Sequence, residues 1–103
     1  MNFLTALFGT SEKADFKQLK HDGALIIDVR TPGEFAGGHI TGSINIPLDK
    51  ISVRAVELKK KNKPIVTCCR SGNRSGMAKT ILAEAGCEVY NGGAWNVLNE
   101  KIN

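Results

Sequence analysis

The sequence has 103 residues, 42% of them hydrophobic and 23% charged, proportions that suit one globular domain with a core of its own over residues 1–103. They exclude a disordered tail, a collagen-like repeat and a disulfide-stapled miniprotein, and the longest apolar runs are far too short to span a bilayer. Lysine and arginine outnumber aspartate and glutamate by 14 to 10, for a net charge of +4. Much of that excess sits at Lys59, Lys60, Lys61 and Lys63, a run without interleaved aromatics that reads as a solvated helix end rather than a nucleic-acid surface.

Residues 1–10 form a short apolar N-terminal segment. It lacks a basic n-region and a small-residue cleavage site, so it does not read as a secretory signal. It suits an amphipathic turn that docks on the domain or lightly on a membrane. A helix capped by Thr10 or Ser11 is predicted to run to about His21, with Ala14, Phe16 and Leu19 on its apolar side. Asp22 and Gly23 stop it. Residues 24–29 are a mostly apolar run, as in a strand buried on both faces. Pro32 then starts a helical turn through Phe35, ended by Gly37 and Gly38. Residues 43–46 read as a second short strand, stopped by Pro47.

From Leu48 to Lys60, Leu48, Ile51, Ala55 and Leu58 recur at helical spacing. Residues 64–68 are a third strand. Met77, Ala78, Ile81, Leu82 and Ala85 form one face of a helix over residues 75–85, which Gly86 ends. A last short strand covers residues 88–90, and Trp95, Leu98 and Ile102 suit a closing helix. Strands alternating with helices predict an α/β fold, an open parallel sheet with helices on both faces.

In such a sheet, sites form where the strands run out into loops. There the sequence reads Cys68-Cys69-Arg70-Ser71-Gly72-Asn73-Arg74-Ser75, between a buried strand and a helix. Successive N–H groups of such a loop, with the helix N-terminus, make a concave anion site. A cysteine at its start, beside two arginines, should favour its thiolate. Gly72 allows the tight curvature. The three cysteines, Cys68, Cys69 and Cys87, are odd in number and lack zinc-ligand spacing. Free thiols in a reducing, cytoplasmic setting are the simplest fit.

The loop Cys69-Arg70-Ser71-Gly72-Asn73-Arg74-Ser75 resembles the active-site loop of the rhodanese family, in which six residues run from cysteine to arginine. Asp28-Val29-Arg30-Thr31-Pro32-Gly33-Glu34-Phe35 and Gly38-His39-Ile40-Thr41-Gly42-Ser43-Ile44-Asn45-Ile46-Pro47 are similar to two upstream segments of that family. Tyr90-Asn91-Gly92-Gly93, followed by Trp95, resembles its closing segment. The likeness covers residues 24–98 or so, in the family's order. Thr41 stands where the family commonly has proline, and the spacing from Gly93 to Trp95 is short.

The resemblance implies a rhodanese-like fold and a sulfurtransferase. In that mechanism the Cys69 thiolate takes sulfane sulfur from a donor such as thiosulfate and passes it from a persulfide to cyanide or a thiol. Arg70, Ser71, Gly72, Asn73, Arg74 and Ser75 would bind the donor, with Arg74 also bracing the loop. Asp28, Arg30 and His39 would be structural support, since persulfide transfer needs no obligatory base. Two alternatives stay open. Counted from Cys68, the chain has the cysteine, five residues, arginine spacing of a cysteine-dependent phosphatase or arsenate-reductase-like enzyme; the second alternative is a non-catalytic binding module. Gly72, three residues after Cys69, favours the sulfurtransferase register. No cofactor and no metal is expected. The expected partners are a small anionic donor and a thiol or cyanide acceptor, with a protein acceptor left open; the chain is expected to be a monomer, with no nucleic-acid partner and no membrane span.

Overall fold

The computed structural model describes residues 12–103. Helix α1 (Phe16–His21) leads into β1 (Leu25–Asp28), followed by α2 (Pro32–Ala36), β2 (Ile44–Asn45), α3 (Leu48–Lys60), β3 (Ile65–Cys69), α4 (Asn73–Glu84), β4 (Val89–Ala94) and α5 (Trp95–Ile102). The strands form one sheet in the order β2-β1-β3-β4, and every pairing is parallel. The α/β architecture read from the sequence is the one observed. Among the described residues, no helix is long and apolar enough to cross a membrane.

The two-residue period of β3 deals its side chains to two cores. Ile65 and Cys69 face a cluster with Ile27, Val29, Ile51, Leu58 and Leu82, which is covered by α3 and α4. Val66 and Cys68 face the other cluster, where Phe16 of α1 and Leu98 and Ile102 of α5 cover the sheet. A strand buried on both sides has no polar face, so periodicity is silent and only the apolar run marks it.

Several boundaries differ from the sequence reading. The cap of α1 is Asp15, whose carboxylate accepts from the Gln18 N–H; Thr10, Ser11 and the apolar segment 1–10 lie outside the described residues. β3 includes Cys69, so Cys68 is not its last residue. β4 continues past Tyr90 through Gly92 and Gly93 to Ala94. Glycine is a poor strand former, and tertiary packing overrides that here. A Cβ on Gly92 would lie 2.8 Å from both Leu98 Cδ2 and the Thr67 carbonyl oxygen, so only glycine admits this approach of β4 to β3. The pairing slips at the same place: Thr67 opposes Asn91, but Cys69 opposes Ala94. One extra residue in β4 makes a bulge beside Cys69.

Candidate active site

The loop between β3 and α4 wraps around the Cys69 sulfur. Gly72 has φ +99° and caps α4, a conformation that strains any residue with a Cβ. That turn aims its N–H at Cys69 Sγ, 3.0 Å away, and the first turn of α4 adds the Ser75 N–H at 3.4 Å. The Ser75 hydroxyl oxygen lies 3.3 Å from the sulfur. Burial alone would raise the Cys69 thiol. The Ser75 hydroxyl and the N–H groups of Ser75, Ser71 and Gly72 outweigh it and hold the thiol below its ordinary value.

Behind the sulfur stands Asn91, on β4 at the bulge and 4% exposed. Its Oδ1 accepts from the Ser75 hydroxyl at 2.7 Å and from the Gly93 N–H at 2.9 Å, and its Nδ2 donates to the Gly72 carbonyl at 3.1 Å. Sequence reading took Asn91 only as part of a closing segment. An asparagine before two glycines reads as a turn, and nothing local says that its side chain reaches another strand's loop.

The two loop arginines part company. Arg74 turns to α2, where its guanidinium donates to both Glu34 oxygens at 2.7 and 2.9 Å. That pairing, with help from the Thr31 N–H and hydroxyl, brings the Glu34 carboxyl down to about 2. Glu34 also closes a capping box with Thr31 at the start of α2. The Arg74 charge is thus committed to bracing the loop. Arg70 is exposed and has no partner among the described residues, leaving its guanidinium available to an incoming anion. Ser71 and Asn73 are exposed on the rim.

Asp28 and Arg30 form a buried ion pair. Arg30 Nε and Nη2 donate to the Asp28 carboxylate at 2.9 and 2.7 Å, and Nη2 also donates to the Gly38 carbonyl at 2.7 Å. The same guanidinium stacks 4.8 Å over the Trp95 ring. His39 stacks on Phe35 with ring centroids 3.7 Å apart, and its Nδ1 donates to the Phe35 carbonyl at 2.7 Å. These contacts tie the segment around α2 to β1 and α5.

The loop amides gather on Cys69 and not on Cys68, the cysteine of the phosphatase-type register. Cys68 points to the opposite face of the sheet, 0% exposed among Phe16, Ile26, Ile40 and Leu98, where no loop amide reaches it. Burial, and next the Asp28 charge, push its thiol far up. Cys87 lies in a cleft of about 120 Å³ lined also by Lys59, Lys63 and Gly86, at the opposite ends of the strands. All three cysteines are free. Among the described residues no group of His, Cys, Asp and Glu side chains is placed to hold a metal ion.

Known proteins resemble this chain over most of its described length. The rhodanese-like domain family matches residues 12–99. The thiosulfate sulfurtransferase PspE of Escherichia coli is 43% identical over 61 residues, 58% of this chain and 59% of that one. The uncharacterized protein YqhL of Bacillus subtilis is 46% identical over 69 residues, 66% of this chain and 54% of that one. The chain therefore spans a little over half the length of these two relatives. A solved structure of a rhodanese with anions from E. coli superposes with a TM-score of 0.65 at 38% identity, covering 72% of this chain and 89% of that one. With its parallel sheet and a family match over residues 12–99, the chain belongs to the rhodanese-like domain family.

Proposed function

We propose that the chain is a sulfurtransferase that carries sulfane sulfur on Cys69. The observation that carries the reading is the convergence of the Gly72 N–H, the Ser75 N–H and the Ser75 hydroxyl on one sulfur. Those groups stabilise negative charge there without a metal or a general base. The Cys69 thiolate attacks the outer sulfur of thiosulfate; the S–S bond of the donor breaks, and sulfite leaves with the bonding pair. The persulfide anion that remains sits in the loop's ring of N–H groups. Cyanide or a thiolate then takes the outer sulfur, and Cys69 leaves as the thiolate that began the cycle. Arg70 draws the dianionic donor to the mouth, and Arg74, through Glu34, keeps the loop in shape. Free buried thiols suit a reducing compartment such as the cytoplasm.

Sulfur transfer leaves a mass signature. Reduced protein treated with thiosulfate and freed of reagent is expected to gain the mass of one sulfur atom on Cys69, and cyanide is expected to remove it. Absence of the gain, with the loop intact, would sink the reading and leave the domain as a binding module.

A further inference from the structure

The bond between Ser75 and Asn91 has a chemical consequence that sulfur transfer alone does not require. Ser75 Oγ lies 2.7 Å from Asn91 Oδ1 and 3.3 Å from Cys69 Sγ. A serine hydroxyl has one proton and two lone pairs, whereas an amide oxygen only accepts. While the sulfur is uncharged, the proton therefore belongs on the Asn91 side, and a lone pair of Oγ faces the sulfur. Once the sulfur is an anion, two acceptors compete for the one O–H. Hydrogen bonds to ions are about twice as strong as neutral ones, so the hydroxyl turns to the thiolate. Asn91 remains satisfied when it does so. Its Oδ1 keeps the Gly93 N–H at 2.9 Å, and its Nδ2 stays fastened to the Gly72 carbonyl at 3.1 Å, which prevents the amide from turning away.

We propose that Asn91 is a positioning residue acting through Ser75: it holds the hydroxyl proton while the Cys69 sulfur is neutral and yields it when that sulfur is anionic. The inference rests on reading Cys69 as the sulfur carrier. In the cycle Sγ alternates between a thiolate and the uncharged inner sulfur of a persulfide. The hydroxyl follows by rotating about its Cβ–Oγ bond, with no proton gained or lost. Ser75 and Asn91 are both buried, so water does not supply the second acceptor. Without Asn91 the hydroxyl would be unsatisfied in one half of the cycle.

The charged and titratable groups around this pair are few. Arg70 lies on the loop, and Arg74 of α4 is held by Glu34 of α2. Cys68 of β3 and Asp28 of β1 lie on the other face of the sheet. Glu12, paired with Lys79 of α4, accepts the Asn91 backbone N–H at 2.9 Å.

The Gly93 amide reports the switch, because it shares Asn91 Oδ1 with Ser75. In ¹H–¹⁵N spectra of the full chain titrated through the ionisation of Cys69, the Gly93 resonance is expected to move with the midpoint seen in the Cys69 alkylation rate. In Ser75→Ala its excursion is expected to fall to less than about half, while the Gly72 amide, which donates to the sulfur directly, still titrates. A Gly93 signal that ignores Cys69, or that moves as far in Ser75→Ala, overturns the proposal. A second variant tests the same coupling. Asn91→Asp offers an anionic acceptor that keeps the proton, and is expected to raise the Cys69 midpoint by about one pH unit. In the Ser75→Ala background that rise should shrink by at least about half; an equal rise in both backgrounds would assign it to charge alone and overturn the proposal. Should Asn91→Asp fail to fold, the amide titration decides the matter. These spectra do not depend on transfer activity, so a missing persulfide and a silent Gly93 are separate failures.

Discussion

Cys68 and Cys69 are neighbours in one strand, and each is 0% exposed, yet they are opposites chemically. Cys68 faces hydrocarbon and the Asp28 carboxylate, and its thiol is pushed up. Cys69 faces the ends of backbone N–H bonds and a hydroxyl, and its thiol is brought down against the same burial. Lack of exposure therefore does not decide whether a cysteine is reactive. What decides it is whether the groups that replace water are hydrogen-bond donors. The pleat of the strand makes the assignment, because successive residues face opposite sides.

The sharpest way to break this comparison is to remove each sulfur in turn. Cys69→Ser is expected to reduce thiosulfate:cyanide transfer by about a thousandfold or more, as loss of a nucleophile does. Cys68→Ser is expected to keep a substantial part of the activity, its loss appearing in denaturant unfolding as about 1–3 kcal/mol for a hydroxyl buried among apolar groups. A dead Cys68→Ser beside an active Cys69→Ser would invert the roles. Next in size is the bulge that brings β4 against β3. Gly92→Ala would thrust a Cβ to 2.8 Å from Leu98 Cδ2 and from the Thr67 carbonyl, and to 2.9 Å from Val66 Cγ1. An expected loss of about 2–3 kcal/mol in urea unfolding follows, with transfer activity falling too, because Asn91 sits beside the bulge. Wild-type stability in this variant would mean that β4 shifts freely.

The smallest effect concerns Glu34. Its carboxyl is held at about 2, below the ordinary 4.5, chiefly by Arg74. A depressed folded-state value contributes stability that is complete above the ordinary value and disappears as pH falls toward the folded one. Glu34→Gln is therefore expected to unfold at a slightly lower temperature than wild type at neutral pH. The gap should close between about pH 4.5 and 2. Because the pair is partly solvated the gap is small; a gap that persists unchanged at low pH would show that the charge of Glu34 does not brace the loop.

Local pattern carried much of the fold. Helix α3 was legible within its approximate bounds, because Leu48, Ile51, Ala55 and Leu58 repeat at helical spacing, and the last three are buried. The strand runs before Asp28 and Cys68 were legible from their apolar character. The continuation of β4 through two glycines was not, since it depends on a contact with Thr67, Val66 and Leu98 that no local rule contains. At the site, the cysteine, glycine and arginine spacing announced an anion loop. The position of Gly72 favoured Cys69 over Cys68, but which face of the sheet each sulfur takes depends on the phase of the strand, and that phase is hidden in a segment buried on both faces. The partner of Arg74 is Glu34, 40 residues away, and the partner of Ser75 is Asn91, on another strand. Sequence spacing shows which side chains cluster along the chain, and only topology shows which of them meet.

The single tryptophan of the chain lies under the guanidinium of Arg30 at 4.8 Å. Arg30 is in turn locked to Asp28 and to the Gly38 carbonyl, and a Cβ on Gly38 would come within 3.3 Å of the indole. This makes the protein its own optical sensor. The indole emission comes from one place, so it reads the docking of the segment after β1 without an added dye. Loosening of that clamp strips the cation from the ring and wets it, and a change in Trp95 emission that precedes the loss of helical circular dichroism would mark the segment after β1 as opening before the helices do.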